Sequence, residues 1–153
     1  FGFEQQSDWT VVQNATLGTE TQNKLQGANA LSVINASGYG VFQSRVFTST
    51  EVAPITDRLT ISVYIPRPQP NQYWTGDLQM FMTCPKKNIN NAYVGYQKLT
   101  NLFQERYNRL DFPLQASLSS ALKTGFTDCR LSIALNVSNG AGTFLFDNMA
   151  FVQ

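Results

Sequence analysis

The side chains in this sequence that could bind a ligand are aromatic rings, planar amides and guanidinium groups. They recur at alternate positions of segments whose other positions are apolar. Sugars present hydroxyls, which need fixed hydrogen-bond donors and acceptors, and C–H faces, which stack on aromatic rings. Amides and guanidinium groups suit the hydroxyls, and rings suit the C–H faces. The pattern therefore indicates carbohydrate binding, and we expect these residues to contact the ligand: Gln43, Arg45, Tyr64, Trp74, Gln79, Phe81, Tyr93 and Gln97.

The expectation for Trp74 depends on a loop, and the expectations for the other seven residues depend on strand parity. Trp74 follows Tyr73 in the segment 71–77, where an exposed indole is costly unless it is used, so Trp74 is the first choice of loop anchor. Tyr39, between two glycines, is another candidate. Trp9 begins a regular strand and is expected in the core. The other expected ligand residues follow from alternation along strands, and a shift of one residue along a strand would exchange its two faces.

The elements that must position these residues are strands. A period of two is strong over residues 59–65, 77–83, 92–98 and 129–137, and further strands are predicted over 9–13, 30–35, 41–47, 107–112 and 143–152. A single short helical pattern covers 114–122. Many short strands separated by Gly, Pro and Asn turns predict an all-β fold, an antiparallel β-sandwich (jelly roll) with one short helix. Residues 1–153 contain no linker or composition break, which predicts one domain.

The charge composition excludes several classes of function. Only 14% of the 153 residues are charged, and the net charge is +1, so no basic stripe is available for nucleic acid. No apolar run approaches the roughly 18 residues that a membrane-spanning helix needs. The chain has no histidine, the commonest general base and transition-metal ligand, so any bound metal should be a hard ion held by oxygen atoms.

The two cysteines, Cys84 and Cys129, each lie at or near the end of a predicted strand. A disulfide between them would close a loop of about 45 residues and stabilise the fold by roughly 4 kcal/mol. Two unpaired buried thiols are the alternative, because spacing alone does not bring the sulfurs within reach. The composition, rich in amides and poor in charge, favours an oxidising, extracellular setting.

Both ends of the chain carry a recognisable pattern. The chain begins Phe1-Gly-Phe-Glu4, with Trp9 soon after, then reads Gln26-Gly-Ala-Asn-Ala-Leu-Ser-Val33, and closes Phe144-Leu-Phe-Asp-Asn-Met-Ala-Phe151. This pattern resembles carbohydrate-binding modules of the family 4, 9 and 22 type, which are galactose-binding-like jelly rolls. The matches cover about a third of the chain, and the middle, 66–137, carries no motif of the family.

The resemblance implies a structural calcium ion that joins the first and last strands. Calcium prefers six to eight oxygen ligands. The ligands carried over are the side chains of Glu4 and Asp147 and the backbone carbonyls of Gly2, Gln26 and Asn29. Gln5-Gln6 stands where relatives often have Asp or Asn followed by Gly, so one further ligand could be missing.

The resemblance also implies a noncatalytic module that binds a polysaccharide or oligosaccharide, on the concave sheet or on the loops at its rim. Such a module would belong to a larger secreted protein and direct an attached enzyme to its substrate. A structural or adhesion domain whose aromatic face contacts another protein is the alternative. A jelly-roll hydrolase or lyase is a weaker one, because a hydrolase needs two facing carboxylates and only Asp77 lies near the expected site.

Overall fold

The computed structural model describes residues 1–35, 38–52, 54–55 and 57–152. The described chain forms ten strands and one α-helix, with three short 3-10 turns. The elements are β1 (Trp9–Gln13), β2 (Ala15–Glu20), β3 (Ala30–Asn35), β4 (Tyr39–Ser44), β5 (Arg58–Tyr64), β6 (Asp77–Cys84), β7 (Ile89–Lys98), β8 (Tyr107–Pro113), α1 (Ala116–Lys123), β9 (Arg130–Asn136) and β10 (Phe144–Val152).

The strands pair into two antiparallel sheets of five strands each. The front sheet has the order β1-β4-β9-β6-β7, and the back sheet has the order β2-β3-β10-β5-β8. The consecutive strands β7 and β8 form the same edge of the sandwich, one in each sheet, and β1 and β2 form the other edge. The predicted antiparallel β-sandwich with one short helix is confirmed. Within the described residues, no helix has the length and apolar character that crossing a membrane would require.

The core lies between the two sheets, and strict alternation builds it. Leu78, Met80 and Met82 on β6 are fully buried, while the residues between them are partly exposed. Trp9 is buried, as its place at the start of β1 predicted, and its ring contacts Phe42 edge-on at 5.5 Å between centroids. The period of two read from the sequence therefore identified the inward faces of β5, β6 and β9 correctly.

The sequence-based elements differ from the structure at several positions, among them β2, β4 and the helix. Strand β2 was not predicted, because it is an edge strand with a glycine, Gly18, and no fully buried residue. Strand β4 begins at Tyr39 and ends at Ser44, and beyond it Phe47 forms an isolated bridge with Cys129. The helix begins two residues later than its apolar pattern and ends at Lys123.

A disulfide joins Cys84 to Cys129, and their Cα atoms are 4.2 Å apart. Cys84 ends β6, and Cys129 immediately precedes β9, so the bond links two neighbouring strands of the front sheet at one end. The predicted pairing is confirmed, and the alternative of two free thiols is wrong.

Candidate functional site

The outer face of the front sheet, which points away from the core, carries rings and amides in cross-strand rows. Strand register places Gln43, Ser132, Phe81 and Tyr93 in one row. The neighbouring rows contain Val41, Ala134, Gln79 and Tyr96, and then Tyr39, Asn136, Asp77 and Lys98. Side chains in such rows are close enough to act on one ligand. We call these twelve residues, on the four strands β4, β9, β6 and β7, the platform.

A β-bulge in β7 places both of its tyrosines on the platform. Phe81 pairs with Tyr93 and Met80 with Gly95, so Val94 is an extra residue on β7. An extra residue reverses the alternation that follows it. Tyr93 and Tyr96, three residues apart, therefore share the outer face, and they are 46% and 41% exposed. Gly95 packs inward so closely that a Cβ there would lie 2.9 Å from Cδ1 of Phe112.

Hydrogen bonds hold the polar side chains of the platform in place. The Gln43 amide donates to the Ser132 hydroxyl at 2.9 Å, and Arg130 donates to the Gln43 amide oxygen at 3.4 Å. Asn136 donates to the Asp77 carboxylate at 3.4 Å. Burial raises the pKa of Asp77, although the bond from Asn136 opposes this shift. The other carboxylate oxygen of Asp77 is buried and accepts no hydrogen bond from the described residues.

The exposed rings are concentrated at the β7 edge of the platform. The rings of Phe81 and Tyr93 lie 5.6 Å apart between centroids and are tilted by 60°. Beyond Tyr96, the loop before β6 contributes Tyr73 and Trp74, and this corner encloses a pocket of about 300 Å³. The Asn71 side chain fixes the loop, because its oxygen accepts the N–H groups of Tyr73 and Trp74 at 2.9 and 3.2 Å.

Tyr64 does not lie with the other predicted ligand residues. It is the last residue of β5, which belongs to the back sheet, and it pairs with Tyr107 of β8. The two rings meet edge-on at 5.6 Å between centroids. Alternation placed Tyr64 correctly on an outward face, but the expectation that this face is shared with Gln79 and Phe81 is corrected, because alternation does not say which sheet a strand joins.

Gln97 and Arg45 are also placed away from the platform. The bulge at Val94 turns Gln97 inward beside Leu78, and its amide donates to the Asp111 carbonyl on β8. Arg45 lies beyond the end of β4 and forms ion pairs with Asp8 at 2.9 Å and Glu51 at 2.7 Å. These two side chains stabilise the fold, so their expected positions among the ligand residues are corrected.

Gln43, Trp74, Gln79, Phe81 and Tyr93 are the predicted residues that the structure brings together on or beside the platform. Sequence reasoning did not include Tyr96 and Lys98 in the ligand set. A signal for them was present, since an isolated glycine within a strand pattern, here Gly95, often marks a bulge.

A second group of predicted residues, the expected calcium ligands, lies around a pocket of about 180 Å³ between the chain start and β10. Gly2, Glu4, Gln26 and Asp147 line it. Asp147 accepts the N–H groups of Leu25 and Gln26 at 2.6 and 3.1 Å. Asn29 is not part of the lining, and it contacts Glu4 instead, donating through its backbone N–H at 3.0 Å. The pocket therefore lies between residues from the two ends of the sequence.

The donor set of this pocket fits a calcium ion in its chemistry. Two carboxylates and backbone carbonyls are hard oxygen ligands. One oxygen of Glu4 accepts the N–H groups of Ala28 and Asn29, while the other lies against Gly27, where a Cβ would come within 1.8 Å of it. One of the expected calcium ligands is already engaged, because the Gly2 carbonyl accepts a hydrogen bond from the Trp9 indole N–H. No group of three or more acidic, His or Cys side chains that could hold a metal occurs in the described ranges.

The fold is that of β-sandwich carbohydrate-binding modules. No family model matches the sequence, and no curated protein gives a significant sequence match. Solved structures do match. One comes from a study of promiscuous specificity in carbohydrate-binding modules of the β-sandwich superfamily; it has 18% identity and a TM-score of 0.65, over 98% of this chain and 59% of that chain.

Two further structures agree over almost their full lengths. The C-terminal family 22 carbohydrate-binding module of Clostridium thermocellum Xyn10B has 14% identity and a TM-score of 0.60, over 97% of this chain and 90% of that chain. A family 28 module specific for non-crystalline cellulose has 15% identity and a TM-score of 0.60, over 97% of this chain and 89% of that chain. At these identities the similarity establishes the fold alone.

Proposed function

We propose that the protein is a noncatalytic carbohydrate-binding module that holds a polysaccharide or oligosaccharide chain on the platform. The observation that carries this proposal is the open row of rings and amides on the outer face of the front sheet. Tyr93 and Tyr96 offer exposed ring faces beside the amide of Gln79. Several structural neighbours are carbohydrate-binding modules, and they support the same class of ligand.

The chemistry of the platform suits an uncharged sugar chain. Rings at the β7 edge can stack on the C–H faces of pyranose units, and the amides of Gln43, Gln79 and Asn136 can pair with hydroxyls. Ala134 lies between Gln79 and Val41 in the central row, and its small side chain leaves room for a ligand above the sheet. A net charge of +1 favours neutral glycans over acidic ones.

The residues of the platform support binding of a glycan rather than its hydrolysis. A glycoside hydrolase uses two carboxyl groups about 5–9.5 Å apart across the scissile bond. Asp77 is the one acid among the platform residues, and it lies in the row at one side. Hydrolysis would need a second acid facing it.

We also propose that the protein functions outside the cell and directs an attached enzyme to its substrate. The Cys84–Cys129 disulfide supports this setting, because such bonds persist in oxidising compartments. A family 22 module joined to a catalytic module is among the structural neighbours, with a TM-score of 0.57, and this chain covers 26% of its length.

The direct test is isothermal titration calorimetry with oligosaccharides derived from xylan, mannan and soluble cellulose. We expect saturable binding of at least one series, and we expect Tyr96→Ala to weaken it about tenfold. Phe103→Ala is the matched control, because Phe103 is another exposed ring but lies in the loop after β7, outside the platform. Release of reducing sugar would indicate catalysis instead. Absence of binding to every series would overturn the proposal and favour a protein-interface role.

We further propose that calcium binds in the pocket formed by Glu4 and Asp147 and stabilises the fold. The carboxylates would be charged ligands, and the carbonyls of Gly2 and Gln26 would complete part of the shell. Binding to the folded state alone raises the melting temperature. We expect added calcium to raise it and a chelator to reverse the effect, with no such shift in Glu4→Gln. An unchanged wild-type melting temperature would contradict calcium binding.

A further inference from the structure

A further cavity lies beside the platform, at the end of the front sheet where strand β7 begins. It is a cleft of about 500 Å³ between the first residues of β7 and helix α1. We call it the helix cleft. Its polar walls are formed by Asn88, Asn90, Gln115 and Ser117, and Tyr93 lines it as well. Because Tyr93 belongs to the platform, the cleft and the platform meet at its ring.

The two walls of the helix cleft are held together by the fold. Helix α1 is anchored from below by Leu118 and Leu122, which are buried in the core. The turn before β7 is fastened to the chain that follows the helix: Lys86 N–H donates to Asp128 at 2.8 Å, and the Lys87 ammonium donates to the Thr124 hydroxyl at 2.5 Å. The disulfide at Cys84 lies directly before this turn. The cleft is therefore part of the fixed structure.

The polar groups of the helix cleft are not used by the protein itself. The side-chain amides of Asn88, Asn90 and Gln115 make no hydrogen bond with the described part of the chain, and neither does the Ser117 hydroxyl. These groups can both donate and accept, as sugar hydroxyls require. The one charged lining residue is Lys87, whose ammonium is engaged with Thr124. A neutral polyhydroxylated ligand matches this set better than an anion does.

Rings that are exposed or partly exposed extend from the loop corner to this cleft. Trp74 and Tyr73 stand at one end beside Tyr96, and Tyr93 stands at the other end beside the cleft. Tyr93 and Tyr96 are three residues apart on one strand, a distance of about 10 Å along β7. A ligand that contacts both rings therefore lies along the edge strand, and its next units would enter the helix cleft.

We propose that the helix cleft is a second binding subsite, and that one extended glycan chain runs along β7 from the Trp74 corner, past Tyr96 and Tyr93, into the cleft. This inference rests on the proposed function and specifies the ligand as a linear chain longer than the platform rings alone can hold. Affinity should then increase with chain length until the cleft is filled.

The test compares a short and a long oligosaccharide of whichever series binds, by titration calorimetry. We expect the double variant Asn90→Ala/Gln115→Ala to weaken binding of the long chain about tenfold, as loss of two hydrogen-bonding amides would, and to leave the short chain unaffected. Ser117→Ala should act in the same direction, more weakly. Ser120→Ala is its matched control, because Ser120 is exposed on the same helix but does not line the cleft.

The outcomes separate this inference from the proposed function. If wild-type protein binds neither chain, the proposed function fails. If it binds both with equal affinity, or if the double variant weakens both equally or neither, the platform proposal stands and the helix-cleft subsite is overturned. Melting temperatures of all variants should match wild type, because the substituted side chains contact no described residue through hydrogen bonds.

Discussion

The two outer faces of the sandwich are built by the same alternation, yet one is covered by its own chain and the other is open. On the back sheet, Ser62 and Asp147 are 4% and 2% exposed although they point away from the core. The segment 21–29 lies over them, and Asp147 binds its N–H groups at Leu25 and Gln26. On the front sheet, Tyr93 and Tyr96 remain nearly half exposed.

The difference shows how a polar or aromatic residue on a strand comes to be structural or functional. The hydroxyl of Tyr107, on the back sheet, donates to the Asn23 carbonyl of the covering segment at 2.8 Å, and burial raises its pKa. Its hydrogen-bonding capacity is used within the fold. On the front sheet, Tyr93 and Tyr96 make no such bond through their hydroxyls to another described residue, and their rings remain exposed. A group whose partners are internal stabilises the protein, and a group left open can bind a ligand.

The covered face should be sensitive to loss of the carboxylate beneath the segment. We expect Asp147→Asn to lower the free energy of unfolding by about 2–3 kcal/mol, because hydrogen bonds to a charged group contribute about 1.5–3 kcal/mol and the amide keeps one acceptor oxygen. Denaturant unfolding measures this. Asp111→Asn, an exposed carboxylate on the same sheet, should cost under about 1 kcal/mol. Equal costs would mean that the segment does not depend on Asp147.

The open face should be sensitive in affinity rather than in stability. Trp74→Ala should weaken glycan binding about tenfold, about 1.4 kcal/mol, because the indole is the largest ring at the loop corner. Tyr64→Ala supplies the comparison on the back sheet. It should lower stability by removing the contact with Tyr107 and leave affinity unchanged. An affinity loss in Tyr64→Ala equal to that in Trp74→Ala would break the distinction between the two faces.

Arg45 gives a smaller effect, on stability alone. Its ion pair with Glu51, together with the Thr48 N–H, lowers the pKa of that carboxyl from 4.5 to about 2. Glu51 therefore stabilises the folded state above its ordinary pKa, and this contribution is lost as the pH falls toward about 2. We expect Arg45→Gln to cost about 0.5–1 kcal/mol at pH 7, less at pH 2, and nothing in glycan affinity. Weaker glycan binding by Arg45→Gln would indicate that Arg45 does contact the ligand.

Asp77 should give the smallest change. Burial raises its pKa, so the folded state favours the protonated form; stability is greatest below the ordinary value of 3.8 and decreases as the pH rises through the folded value. Asp77→Asn removes this loss. We expect its melting temperature to exceed that of wild type by about 1–2 °C at pH 7 and to match it at pH 3. A lower melting temperature at pH 7 would indicate that the charged form is stabilised on the platform.

Much of the fold followed from local pattern. Alternation identified the inward residues of β5, β6 and β9, because burial on one face of a strand enforces a period of two. The Cys84–Cys129 disulfide was the favoured alternative at the sequence level, although spacing alone did not decide it. That Glu4 and Asp147 line one pocket agrees with what the family resemblance implied, and no local pattern predicted it.

The candidate site was less predictable for three physical reasons. Tyr64 shows that alternation defines a face but not a sheet, which is decided by long-range pairing of β5 with β8 and β10. Gln97 shows that one extra residue in β7 exchanges the faces of everything after it. The helix cleft was not visible either, because residues 88–93 and 115–121 meet only in the folded chain.

Mapping of the ligand contact by amide NMR tests the central claim most directly. Isotope-labelled protein is titrated with the oligosaccharide that binds most tightly, and chemical-shift changes are followed for every backbone amide. We predict the largest changes at Gln79, Tyr93 and Tyr96 on the front sheet, and little change at Ser62 and Leu145 on the back sheet. Largest changes on the back sheet, or none anywhere with any glycan, would contradict the account.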